Sequence, residues 1–258
     1  MKPSRVLLVL FWLVVMTGCS VKENRKFCPC RLEVDFSVVD TSVIHSAEIC
    51  MTTQDGFISY DHISSSDFFE DYVRNVPRSL LRLNVWYGSN GFTEQDNSII
   101  IPYGSECPCV YMEFTELSTD MEACRHVVRM RKNHCVMTIY VEGEDKHPYG
   151  LRVRGNVNGY RYDGKPRVGE FACVSYPDEC GVSEVVLPRQ IDNSLLLDID
   201  DGTEIIKTFA LGEYIAASGY DWTSPDLQDL SLDLEYYLSH VILTVQGWDS
   251  EYTYNIIL

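Results

Sequence analysis

The chain has 258 residues, with 21 Lys and Arg against 38 Asp and Glu, for a formal net charge of −17. So acidic a surface repels phosphate backbones and anionic membranes, which argues against nucleic acid as a partner. No apolar run approaches the ~18 residues that read as a membrane span, and ten cysteines point to an oxidising compartment.

The N-terminus is the first informative segment. Lys2 and Arg5 precede an unbroken apolar run over residues 6–16, and Thr17-Gly18-Cys19-Ser20 follows. A basic start, a short apolar stretch and a small-residue exit make an export signal over residues 1–18. A cysteine directly after Thr17-Gly18 resembles a bacterial lipobox, so Cys19 is expected to carry lipid and to become the mature N-terminus. Each buried CH₂ of an acyl chain adds about 0.8 kcal/mol, and two chains suffice for stable anchoring.

Beyond it, period-two alternation dominates, as in half-buried strands. Residues 32–38 alternate, and Leu81, Leu83, Val85 and Tyr87 fall on one face of a second run. Further strands are expected at 99–101, 110–114, 136–141, 151–154, 185–187 and 195–199. Turn signals punctuate them at Asn90-Gly91, Asn158-Gly159, Asp163-Gly164 and Asp201-Gly202. Many short strands with such punctuation predict sandwiches. Two short helices are expected, over 66–73 behind a serine cap and over 224–237 behind Ser224-Pro225. In the second, Leu230, Leu232 and Leu234 also alternate, so a strand competes. Residues 117–126 are polar and turn-like, which sets the expected domains at 19–124 and 125–258.

The cysteines leave several pairings open. Cys28-Pro29-Cys30 and Cys107-Pro108-Cys109 each place two thiols on one strand face, and two such strands side by side can cross-link twice. Cys124 with Cys135 and Cys173 with Cys180 are the other candidate pairs, with Cys50 the odd one. Cys124, His126, His134 and Cys135 match no common zinc spacing, and a disulfide beside two solvent-facing histidines is the expectation there. The acidic run from Asp198 to Gly202 lacks the spacing of a calcium loop and reads as a hairpin turn. Nucleophile elbow, phosphate loop and dinucleotide fingerprint are all missing. No catalytic residue, metal or cofactor is expected.

The order of elements carries a resemblance. The opening Cys-Pro-Cys before an alternating strand, Phe68 to Val73 before the strand 81–87, and the later segments Tyr162-Asp163-Gly164-Lys165-Pro166, Val186-Leu187-Pro188-Arg189 and 241–248 together resemble the fimbrillin-A-associated anchor proteins, minor-fimbrium lipoproteins of Bacteroidetes-type bacteria. The resemblance implies a mainly β fold of two transthyretin-like sandwich domains. It also implies an outer-membrane lipoprotein that attaches a fimbrial shaft and limits its length, with shaft subunits joined by strand addition. Tyr252, Tyr254, Ile256 and Leu258 alternate on a candidate donor strand; a last strand of the chain's own sheet is the competing reading. In the same frame, bridges from Cys28 and Cys30 to Cys107 and Cys109 would staple the first strand in place. The rival function is a surface lipoprotein that binds a host glycan or protein, with Trp86 and Trp222 as platforms.

Overall fold

The computed structural model describes residues 28–88, 98–143, 149–161, 163–200, 202–236, 240–246 and 251–257. Strands β1 to β9 are Cys30–Asp35, Ser46–Thr53, Ile58–Ser64, Tyr72–Val76, Leu80–Tyr87, Ile99–Ile100, Tyr111–Ser118, Ala123–Val127 and Arg131–Lys132. Strands β10 to β18 are His134–Gly143, Gly150–Tyr160, Pro166–Ser175, Val182–Pro188, Leu196–Asp200, Ile205–Phe209, Leu230–Tyr236, His240–Gln246 and Glu251–Ile257. One α-helix, α1, covers Leu211–Ala217 among the described residues. The protein is mainly β.

Four sheets follow from the pairing. The first half builds β4-β1-β8 and β3-β2-β5-β7-β9; the second builds β13-β10-β16-β17-β18 and β12-β11-β14-β15, with β6 added to β11. Two ladders are parallel, β1 with β8 and β10 with β16.

Alternation in sequence becomes alternation in burial. Leu32 and Val34 are buried while Glu33 and Asp35 turn toward solvent, and Leu81, Leu83 and Val85 line the same core. Phe36 stacks on Phe68 with centroids 5.2 Å apart and meets Tyr72 edge-on at 6.2 Å, a geometry that adds to the area each ring buries. The Tyr72 hydroxyl donates to Asp61 at 3.0 Å, and Arg74 bonds the same carboxylate, tying β4 of one sheet to β3 of the other.

A second large cluster contains Cys107, Cys135, Met137, Ile139, Leu151, Phe171 and Phe209. Between the two lies a small third cluster of Cys50, Trp86, Ile99, Val110, Met112 and Tyr160. Its members come from strands of both halves, so the halves touch through packed side chains. Within the second half, Arg189 donates to Asn133 Oδ1 at 3.0 Å and to the carbonyls of Trp222 and Ser224 at 2.6 and 2.7 Å. The core changes hands after Val128, which still belongs to the first cluster; Ile101 and Cys107 already belong to the second.

Several expectations need correction. Residues 66–73 form no α-helix. A 3-10 turn covers Ser65–Asp67 and β4 starts at Tyr72, because Phe68 is buried while Phe69 is 74% exposed, so the aromatic residues do not form one stripe. The segment at 224–237 is resolved by its period-two pattern: Leu230, Leu232 and Leu234 are all buried along β16. The actual helix buries Leu211 and Ile215, four residues apart on one face. Asn158-Gly159 is no turn but part of β11, where Gly159 has φ 144° and an added Cβ would lie 1.9 Å from the Ile99 carbonyl oxygen. β14 and β15 pair antiparallel, as a hairpin there requires, and Asp200 Oδ1 accepts the Gly202 amide at 2.8 Å between them; Asp201 lies outside the described residues. Asn90-Gly91 lies outside the described residues.

One outward carboxylate gives a pH prediction. The Ser37 backbone amide and hydroxyl, then Arg125, hold Asp35 down at about 2. A lowered carboxyl contributes stability above its ordinary value and loses it as pH falls through the folded value. Asp35→Asn should therefore lower stability at pH 7 and flatten the loss between pH 4 and pH 2. Urea midpoints across that range measure it.

Candidate functional site

The two ends of the described chain are held differently. β18 pairs antiparallel with β17 over seven positions, from His240 opposite Ile257 to Gln246 opposite Glu251. It is thus the last strand of the chain's own sheet, the reading that competes with a donated strand. Among the described residues, nothing ladders its outer edge, so half of its peptide groups face away from the sheet. Tyr252, Tyr254 and Ile256 stand in register with Val245, Leu243 and Val241; Leu258 lies outside the described residues. Across the ladder, the Thr244 and Thr253 hydroxyls meet at 3.1 Å.

β1 is laddered on both edges, by β4 antiparallel and by β8 parallel. Cys30, Leu32 and Val34 on its inner face have no exposure. On its outer face Arg125 of β8 bridges Glu33 at 3.3 Å and Asp35 at 2.7 Å. The strand sits in the middle of its sheet with both faces engaged.

The nine described cysteines are free thiols, and none of the candidate pairings is formed. Cys30 belongs to the first core cluster and Cys107 to the second, so the doubled Cys-Pro-Cys does not bring its strands side by side. Cys124 packs on the first cluster and Cys135 is buried in the second. Cys173 points into the core while Cys180 lies exposed on the turn before β13. The structure instead puts Cys124 opposite Leu32, on the strand beside Cys30. Cys19 lies outside the described residues.

His126 and His134 are not solvent-facing. His134 is buried with Nδ1 3.1 Å from the Val110 carbonyl oxygen, and His126 Nε2 lies 3.0 Å from Glu113. Trp86 is buried in the third cluster, and Trp222 packs against the second beside Tyr220 with centroids 4.7 Å apart. Trp86 therefore offers no open ring face, and Trp222 is half-buried. No metal-holding group of three or more His, Cys, Asp or Glu occurs among the described residues.

Burial also sets reactivity. It pushes Cys135 and Cys173 up to about 12, and the thiolate is the nucleophile. Native alkylation at pH 8 should label the exposed Cys28 and Cys180 and leave Cys107, Cys135 and Cys173 untouched until the chain is unfolded. Peptide mass mapping reads the result.

No protein-family model matches the chain, and no curated protein matches it by sequence. Its structure does find relatives. The fimbrial anchor protein Mfa2 of Porphyromonas gingivalis superposes with a TM-score of 0.61 at 12% identity, covering 87% of this chain and 100% of that one. The chain shares the fold of a fimbrial anchor. A Bacteroides thetaiotaomicron protein named for polysaccharide binding gives 0.63 at 10% identity, over 88% of this chain and 98% of its own. A Bacteroides ovatus protein named as an adhesin gives 0.58 at 11%, over 91% and 97%. At such identities the likeness is one of fold.

Proposed function

We propose that the chain is an outer-membrane lipoprotein at the base of a surface fimbria, held to the membrane through Cys19 and to the first shaft subunit by strand addition. The observation that carries this reading is β18: a terminal strand with one open edge, on a fold shared with a fimbrial anchor. In strand addition, ladder hydrogen bonds give affinity and alternating side chains set register. Tyr252, Tyr254, Ile256 and Leu258 are the residues assigned to the donated strand.

The doubly laddered β1 supports the other half of the role. A shaft subunit accepts its neighbour by giving up its own first strand; a chain that keeps that strand ends the series and limits fibre length. In this reading the two large clusters are the cores of two transthyretin-like sandwich domains, assigned to 19–124 and 125–258, with Val128 reaching back into the first core and Ile101 and Cys107 reaching forward into the second. The role needs no cofactor and no catalysis.

The test is made in cells. The chain should fractionate with the outer membrane and Cys19→Ala should release it, while cells lacking the chain should carry fimbriae of altered length or shed them. Fimbriae of unchanged length and attachment in those cells would remove the proposal.

A further inference from the structure

Tyr103 stands in the turn after β6 with its ring 68% exposed. The turn is fixed: the Gly104 amide donates to the Ala172 carbonyl at the edge of β12 at 2.9 Å, and the Ser105 amide to the Pro102 carbonyl at 3.0 Å. Beside the ring opens a cleft of about 300 Å³ bordered by Arg154, Gly155, Asn156, Glu170 and Ser194. That is the lower end of the range for small-molecule sites.

The cleft is built by an irregularity in the sheet. Gly155 of β11 pairs with Phe171, but Val157 pairs with Val168, so β12 carries one extra residue between the two pairs. Such a bulge re-aims a side chain, and here it falls at Gly169-Glu170. Gly169 leaves room there for the Asn158 amide, which an added Cβ would push aside.

Two polar groups of the lining have an atom without a partner, the Ser194 hydroxyl and the Asn156 amide oxygen. Asn156 Nδ2 donates to Asp192 at 2.8 Å; a carboxylate only accepts, so the amide orientation is fixed. Its Oδ1 is then left shielded from water without a partner. Buried acceptors of this kind are rare and call for a donor. Arg154, the cation present, is already paired with Asp198 at 2.7 Å. With the Glu170 carboxylate on the rim and a net charge of −17, an anion is disfavoured. The fitting ligand brings several hydroxyl donors, an apolar C–H face for the Tyr103 ring and no negative charge.

We propose that this cleft binds a neutral pyranose sugar. One face of the ring lies on Tyr103, and its hydroxyls donate to Asn156 and Glu170 and accept from the Arg154 guanidinium. The proposal is independent of the anchor reading, because none of these groups belongs to β1 or β18.

The test is saturation-transfer NMR on the full mature chain with cellobiose, maltose, lactose, mannobiose and chitobiose, and with glucuronic acid as the charged comparison. At least one neutral disaccharide should receive saturation on its C–H face with a millimolar Kd. Tyr103→Ala and Glu170→Gln should each weaken it by roughly tenfold or more, about 1.4 kcal/mol per tenfold. Tyr103→Phe, which keeps the ring, should bind within about threefold of the parent. Circular dichroism of each variant should match the parent, as expected for changes at exposed positions. Transfer to no neutral sugar, transfer to glucuronic acid alone, or binding that survives Tyr103→Ala would overturn the proposal.

Discussion

Removing residues 248–258 is expected to abolish co-purification with the fimbrial shaft subunit while leaving a folded monomer. The strand that goes is the outermost of its five-stranded sheet, and the truncation breaks a single ladder, the seven pairs to β17. The ladders of β16 with β10 and β17 remain, as do the buried Leu230, Leu232, Leu234 and Val245. Losing an edge strand from a chain of this size should cost about 2–3 kcal/mol, or roughly 5–10 °C in Tm. Two measurements separate the outcomes: a cooperative melt of the truncated chain, and affinity capture of the shaft subunit. A truncated chain that melts without a cooperative transition would make β18 a structural strand first. A folded one that still captures the subunit would place the docking surface elsewhere.

The largest effect on stability is expected from Phe36→Ala. Phe36 is 1% exposed and closes the inner end of β1 against Phe68 and Tyr72. Removing so large a buried ring costs the transfer free energy of its atoms and leaves a cavity, together about 3–5 kcal/mol. Phe69→Ala, a residue away from Phe68 in sequence but 74% exposed, should change stability by no more than about 0.5 kcal/mol. Denaturant midpoints of the two variants make the comparison. Equal effects would mean that the aromatic stack is not the seat of β1 in its sheet.

β1 and β10 bury one face and show their alternation plainly, and β16 declared itself through Leu230, Leu232 and Leu234 once the period of two was preferred over the helical one. β5 was legible through Leu81, Leu83 and Val85 although Asn84 and Trp86 on its other face are buried too. β2 was not legible, because Ile49, Cys50 and Met51 are buried in succession: the first and third enter the first cluster while Cys50 enters the third. A strand buried on both faces has no alternation to read. β3 failed for the opposite reason. It is an edge strand, Ile58-Ser59-Tyr60-Asp61-His62-Ile63-Ser64, with no fully buried residue.

The cysteines show a further limit. Doubled Cys-Pro-Cys segments invite pairing by likeness, yet chain proximity and motif symmetry do not say which core a strand joins, and Cys107 joined the one that Cys30 did not. Cys124 next to β1 emerges only from the parallel β1–β8 register, which links residues some ninety positions apart and leaves no local trace. The same holds for the cleft beside Tyr103. Its bulge at Gly169-Glu170 is a fact of pairing, and no local pattern in β12 announced it.

The placement of β1 between an antiparallel and a parallel neighbour has a mechanical consequence. A pull applied at Cys30 acts along the strand axis, so the hydrogen bonds on both flanks are loaded together in shear and resist as a group. A pull on the end of β18 that peels it from β17 loads the pairs one after another, like a zip. Under tension the end carrying β1 holds while the end carrying β18 gives way first; in an anchor of the proposed kind, that order would leave the base in place when the far end breaks.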